Sequence, residues 1–305
     1  MSARLAFLSS LLISCQSPPP VKETDGRAAL SYAKTQVDFG PRIPGTDSHR
    51  ATGDWLEKEL RVRADSVVVQ TWPHRNAKGD TVVLRNFIGR FNVAATRRIL
   101  FFAHWDSKPT ADYDSGARAK LPVPGANDGA SGVAVLLAMA DALKKQPPTI
   151  GVDLLMVDGE DYGTFTPDVD VLLGSKHYAA NPLPGGPPEY AILLDIVGGQ
   201  RAQFRREGNS LIGAPGVVDH VWDVAARMGY GNLFLPESGG TTTDDHIPLQ
   251  QAGIRAIDVI GDYGPGTSFP WWHTADDTVD KLSPDILKGV ADVMVGVVRA
   301  AKRIE

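Results

Sequence analysis

Six short segments of acids and histidines are spaced along this chain: His104-Trp105-Asp106, Ala126-Asn127-Asp128-Gly129, Asp158-Gly159-Glu160-Asp161, Leu194-Asp195, Asp244-Asp245-His246 and Trp272-His273-Thr274. Three of them close apolar runs, over 99–103 before His104, 152–157 before Glu160 and 191–194 before Asp195. In an open α/β sheet the carboxyl ends of the strands line the site, so residues distant in sequence can meet there. Histidines and carboxylates without thiols are the ligand set of a hydrolytic metal centre, and the set suits zinc better than magnesium or copper. Catalytic zinc keeps three protein ligands and an open position, and the candidates for those ligands are Asp128, Asp161 and His273.

Each candidate also has an ordinary structural reading. Asp128 lies in Pro124-Gly125-Ala126-Asn127-Asp128-Gly129-Ala130-Ser131-Gly132, whose glycines permit a sharp turn and close backbone approach. Taken alone, Asp128 is a helix N-cap. Glu160 and Asp161 are neighbours leaving a strand and so point to opposite sides, which lets Asp161 hold a metal while Glu160 faces substrate. A carboxylate so placed can take a proton from a nucleophile and return it to the leaving group, worth roughly 10² to 10⁴ in rate. The plain alternative is a pair of solvated acids in a surface turn.

His104 either ligates a second metal or supports the site by hydrogen bonding. Asp195 ends a buried strand, where only a metal, a hydrogen-bonding partner or a basic side chain can offset the cost of burying its charge. Of Asp244 and Asp245, one can share a proton with Glu160 and raise the apparent pKa of the pair; otherwise they enrich a helix N-terminus in acids. Phe269, Trp271 and Trp272 beside His273 form either an apolar wall for the site or part of the core. His49, His74, His177 and His220 lack such company and read as surface or structural residues.

These residues need elements to hold them. Ser48 can cap a helix that carries Ala51, Trp55 and Leu56 on one face and ends near Arg61. Residues 66–69 and 81–88, with Lys78-Gly79-Asp80 between them, alternate as antiparallel strands at a sheet edge. Residues 98–103 form a more uniformly apolar strand, suited to burial on both faces. After Ser131, the residues Val133, Leu136, Leu137 and Ala140 recur at helical spacing. Strands at 152–157, 191–196 and 255–260 then alternate with helices near 175–180 and 217–228, which is an α/β pattern. Ser283, Pro284 and the face Ile286, Val290, Val293, Val297 and Ala301 predict a closing helix. There is no internal repeat.

The 305 residues carry a formal charge of −5 and a pI near 5.8, so there is no basic footprint for nucleic acid. Met1-Ser2-Ala3-Arg4 followed by a short apolar run is the layout of a secretion signal. Leu12-Ile13-Ser14-Cys15 resembles a bacterial lipobox, which implies cleavage before Cys15, the single cysteine, and a lipid anchor there. The expected organisation is a signal peptide over 1–14, a lipidated Cys15 and proline-rich tether over 15–26, and one catalytic domain over 27–305. Gln16 after Cys15 resembles the pattern of lipoproteins sorted to the outer membrane, so the expected place is the cell envelope. A monomer is expected, with the membrane touched only through the anchor.

Together the segments resemble the zinc-dependent exopeptidase superfamily, peptidase family M28, and within it the animal-type glutaminyl-peptide cyclotransferases. The likeness runs over about residues 33–301 and is carried by His104-Trp105-Asp106-Ser107-Lys108, Asp158-Gly159-Glu160-Asp161, Leu194-Asp195-Ile196-Val197-Gly198, Asp244-Asp245-His246-Ile247-Pro248-Leu249 and Phe269-Pro270-Trp271-Trp272-His273-Thr274. It implies a three-layer α/β/α fold with a central mixed, mostly parallel sheet. It also implies zinc on Asp128, Asp161 and His273, Glu160 as general acid and base, Asp195 and Asp244 in its hydrogen-bond network, and Trp272 walling a glutamine pocket. The implied reaction closes an N-terminal glutamine of a peptide or protein to pyroglutamate with loss of ammonia. The chain departs from the cyclases at Asp161, where they carry Glu, and offers only Phe165 near the place of their next aromatic. Two rivals stand beside this reading: a two-zinc aminopeptidase, with His104 and Asp195 completing a second site around a bridging Asp128, and a non-catalytic lipoprotein that binds peptides.

Overall fold

The computed structural model describes residues 22–264 and 269–300. The expected signal and lipidated Cys15, and Ala301 of the closing helix, lie outside the described residues. In chain order the elements are α1 (Gly26–Asp38), α2 (Asp47–Arg61), β1 (Ser66–Arg75), β2 (Thr81–Phe91), β3 (Arg98–His104), α3 (Ala130–Lys145) and β4 (Gly151–Val157). A small hairpin of β5 (Thr164–Phe165) and β6 (Asp168–Val169) precedes α4 (Leu173–Ala180), β7 (Ala191–Asp195), β8 (Phe204–Arg206), α5 (Gly208–Gly213) and α6 (Pro215–Arg227). The chain closes with β9 (Phe234–Ser238), α7 (His246–Gln251), β10 (Ala256–Ile260) and α8 (Pro284–Ala300).

Among the described residues, six strands form the central sheet in the order β1-β2-β4-β3-β7-β10. The pairings of β1 with β2 and β2 with β4 are antiparallel, and the three from β4 to β10 are parallel. The long hairpin thus occupies the edge that its alternation predicted. Because β3, β4, β7 and β10 run the same way, His104, Val157, Asp195 and Ile260 end at one edge. The loops leaving that edge build the site.

Period-two geometry with both faces covered explains why these strands are mostly apolar. In β3, Ile99, Phe101 and Ala103 pack on the side of α3, α6 and α8, while Leu100 and Phe102 face the opposite layer with Leu249 of α7 and Tyr178 of α4. Strand β7 divides in the same way, with Ile192 and Leu194 on the first side and Ala191 and Leu193 on the second. Helix α3 lies between the sheet, α1 and α8, so it is buried nearly all round rather than along one stripe. The result is the three-layer α/β/α arrangement.

Two local expectations are corrected. Thr46, not Ser48, caps α2: its side chain accepts the His49 N–H, while the Ser48 hydroxyl donates to the Pro41 carbonyl. Ala51 is exposed, because α2 packs through His49, Thr52, Gly53, Leu56 and Leu60. At Gly53 a Cβ would stand 3.2 Å from the Phe87 ring and closer still to Arg85, so a side chain would hold the helix off β2. Upstream of α1, Asp25 caps the helix, the Thr24 hydroxyl donates to Asp292 at 2.7 Å, and Arg299 donates to Glu23 at 2.9 Å.

Candidate metal centre and active site

Asp128 sits on the tight loop that enters α3. The carboxylate of Asp277 accepts the backbone N–H groups of Asn127 and Asp128, at 2.9 and 3.1 Å. The buried Arg42 guanidinium donates to the carbonyls of Trp105, Pro124 and Gly125. Gly125 has φ +66°, and a Cβ there would lie 2.4 Å from the Asp128 carbonyl oxygen, so only glycine fits. Asp128 is not the N-cap of α3; that position falls on Gly129, and no side chain caps the helix. The Asp128 carboxylate is therefore left to face the site.

Asp106 orients the acid pair, its two oxygens accepting the N–H groups of Glu160 and Asp161 at 3.1 Å each. Asp161 Oδ1 accepts from Lys108 Nζ at 3.1 Å and lies 3.3 Å from His273 Nε2, whereas its buried Oδ2 has no hydrogen-bond partner. His273 Nε2 is also 3.6 Å from Asp128 Oδ2, and its Nδ1 lies 3.1 Å from Asp112. Ligands bound at about 2.0–2.1 Å in a tetrahedron stand roughly 3.3–3.5 Å apart. The spacing of His273 from its two acids matches that, all three residues are buried, and their ligand atoms lie within 4.8 Å of one another. Two buried carboxylates with one orphaned oxygen need a cation, and a nitrogen and oxygen donor set of this kind fits zinc.

His104 is a second point of convergence. Its Nε2 is 3.0 Å from Asp128 Oδ1 and 3.3 Å from Asp195 Oδ1, and its Nδ1 is 3.7 Å from Glu160 Oε2. The ring lies against Gly129, where a Cβ would come within 2.4 Å of it. His104, Asp128 and Glu160 likewise offer ligand atoms within 4.8 Å of one another. Asp195 thus finds its partner in this imidazole rather than in a basic side chain.

Charge crowding sets the proton affinities. Burial raises Glu160 well above the ordinary carboxylate range, and the charges of Asp161, Asp244 and Asp245 add to it against the pull of His104. Burial likewise raises Asp244 strongly, with Asp195 and Asp245 adding to it. Asp245 is pushed up to about 7 by burial, although it accepts a hydrogen bond from Ser175. Asp161 goes the other way: burial opposes ionisation, but His273, Lys108 and His104 together hold it well below the usual range. For His273, burial is outweighed by Asp161, Asp112 and Asp128, which lift it to about 9. Asp244 acts on Glu160 through space; the expected hydrogen bond from Asp244 or Asp245 to Glu160 is absent among the described contacts.

These groups share one cavity of about 470 Å³, lined by Asp128, Glu160, Asp161, Asp195, Asp244 and His273 together with the aromatic residues Phe165, Phe269 and Trp272. Trp272 lies 4.0 Å from the His273 ring and 4.6 Å from that of Tyr113, centroid to centroid. Trp271 leans on Phe269 and under Lys281, away from the cavity lining. His49 is a buried structural residue bonded to Asp158 and stacked on Trp105, His74 pairs with Asp170, and His177 stacks on Trp72. Lys108, Asp112, Asp277 and Arg42 escaped sequence reasoning as site residues. Asp112 and Arg42 carry no pattern that marks them. Asp258 had a usable signal, an acid inside the apolar strand 256–260, and both its oxygens are buried without a hydrogen-bond partner.

A three-layer α/β fold with buried imidazoles and carboxylates at the carboxyl edge of its parallel strands defines a zinc-exopeptidase-like enzyme. The model of Peptidase family M28 matches residues 86–298, and the chain belongs to that family. Its relatives include glutaminyl cyclases. The crystal structure of Bacteroides thetaiotaomicron glutaminyl cyclase bound to N-acetylhistamine is 38% identical with a TM-score of 0.87, the match covering 92% of this chain and 99% of that one. A Zn-dependent exopeptidase from Parabacteroides distasonis is 37% identical with a TM-score of 0.87, over 91% and 98% of the two chains. Glutaminyl-peptide cyclotransferase of Bos taurus is 26% identical, over 83% of this chain and 77% of its own. The chain spans only 41% of the length of another relative, Aminopeptidase YwaD of Bacillus subtilis.

Proposed function

We propose that this protein is a zinc-dependent glutaminyl-peptide cyclotransferase acting on the N-termini of peptides or proteins. The observation that carries the reading is Glu160: a buried carboxylate of raised proton affinity, facing the same cavity as Asp128, Asp161 and His273 and as the Trp272 and Phe269 wall. Asp128, Asp161 and His273 would hold the zinc, which would supply Lewis acidity toward the side-chain carbonyl of an N-terminal glutamine. The aromatic wall of Trp272, Phe269 and Phe165 packs the glutamine methylenes and excludes water from the reacting atoms. Glu160 accepts a proton from the α-amine as that nitrogen bonds to the carboxamide carbon of the same residue. Glu160 then returns the proton to the departing nitrogen, so ammonia leaves and the lactam remains. Asp244, buried and close enough for its charge to raise Glu160, helps Glu160 hold that proton between the two steps, and Asp195 in turn raises Asp244. Nucleophile and electrophile share one residue, so holding the reactive conformer is much of the task.

His104 Nε2, lying between Asp128 and Asp195, supports a second reading, a two-metal aminopeptidase. One experiment separates the two: the purified protein is given a Gln-initiated and a Leu-initiated peptide, and ammonia and free amino acids are measured. Ammonia without free leucine is expected; free leucine without ammonia rejects the cyclase. The anchor on Cys15 is likewise a proposal, placing the enzyme at the bacterial cell envelope; membrane retention that persists in Cys15→Ser would reject it.

A further inference from the structure

The far wall of the cavity holds a cation that the cyclisation scheme leaves idle. Alternation along β8 sends Phe204 into the core against Phe234, with ring centroids 5.0 Å apart, and turns Arg205 to the cavity. Arg205 donates to Asp262 Oδ2 at 2.9 Å, while Asp262 Oδ1 accepts the Gly264 N–H at 2.8 Å. Backbone bonds in both directions between Gln203 and Asp262, at 2.7 and 2.9 Å, tie this corner together. The carboxylate is thereby spent and fixed, and it fixes the guanidinium. Arginine carries five N–H donors, and the others of Arg205 have no protein partner among the described residues. Arg205 lines the cavity and its side chain keeps 16% of its exposure, so the guanidinium is within reach of a bound chain.

Size says what they meet. A compact space of about 470 Å³ is roughly 10 Å across, and an extended chain advances ~3.3–3.6 Å per residue, so the cavity takes more than the reacting residue alone. The surroundings select against an anionic side chain, because Glu160, Asp161, Asp195, Glu207 and Asp244 line the same space. A neutral oxygen on the peptide backbone meets no such penalty. We propose that Arg205, held by Asp262, is the specificity-determining group that binds the carbonyl oxygen of the residue following the reacting N-terminal one. The choice of test substrate rests on the cyclase reading; the assignment of Arg205 does not.

The test uses glutamine methylamide, which ends before that carbonyl, and Gln-Ala-methylamide, which includes it, with ammonia release as readout. In Arg205→Met the ratio of kcat/KM for the longer substrate to that for the shorter should fall about 10-fold or more, mainly through KM, as expected for loss of a hydrogen bond from a charged donor. Arg205→Lys, which keeps the charge without the fork, should recover part of the ratio and serves if the Met variant does not fold. Equal losses on both substrates, or an unchanged ratio, overturn the assignment. If the wild type releases leucine rather than ammonia, the cyclase reading fails, and the same ratio taken on leucine methylamide and Leu-Ala-methylamide decides the role of Arg205.

Discussion

At the scale of single residues, the site divides labour between adjacent acids that differ in environment. Asp161 faces Lys108 and His273 and stays ionised, whereas Glu160 faces other acids and holds a proton readily. Glu160→Gln should therefore lower turnover at least 10²-fold while zinc content, measured by elemental analysis, stays at the wild-type level; parallel loss of metal would show that Glu160 is a ligand. Asp112 is the counterpart at His273, since its contact with Nδ1 leaves Nε2 free to face Asp128 and Asp161. Asp112→Ala should weaken zinc affinity about 10- to 100-fold in a competitive chelator titration, and an unchanged affinity would remove Asp112 from the site. Asp112 could not be read from the chain, because it lies far from His273 in sequence and belongs to no recurring pattern.

At the scale of elements, the wall of the cavity is only as firm as the contacts that hold its loops. Glu207 N-caps α5 by accepting the N–H groups of Asn209 and Ser210, and it also accepts the N–H of Thr242 from the loop leading to Asp244. Its pKa is held down at about 2: burial opposes ionisation, but His246, Ser210 and the backbone donors outweigh it. A carboxylate whose folded pKa is depressed stabilises the fold fully above its unfolded value near 4.5, and the gain disappears as pH falls toward about 2. Glu207→Gln should thus lower stability by about 1.5–3 kcal/mol at pH 7, and denaturant midpoints of variant and wild type should converge between about pH 4.5 and 2. A gap that is constant with pH would mean that packing, not charge, is the cause. The strands behind these loops were legible because the apolar runs are continuous, whereas cap positions such as Thr46 shifted because several hydroxyl residues compete for one helix start.

At the scale of the whole molecule, acids and imidazoles from six separate segments are packed into one buried place, and a bound cation would offset the repulsion among the acids. Metal removal should therefore destabilise the fold as well as stop the reaction. A ligand at 100 times its Kd that binds only the folded state adds about 2.7 kcal/mol, which for a domain of this size is several degrees in Tm. Calorimetry with and without a chelator measures it; an unchanged Tm would mean that the acids are satisfied without metal. Among the described residues no helix is long and apolar enough to cross a membrane.

The sequence by itself determined the α/β alternation, the strands whose ends carry His104 and Asp195, and the candidacy of Asp128, Glu160, Asp161 and His273, because period-two burial and the ligand chemistry of His and Asp are local properties of residue type. Tertiary structure alone decided that Asp128 faces the site instead of capping α3, that His104 bridges Asp128 and Asp195, that Lys108 pairs with Asp161 and Asp112 with His273, and that Arg205 lines the cavity. Those facts depend on which loops meet at the carboxyl edge of the sheet. That meeting is set by strand order and register, which bring together residues more than a hundred positions apart.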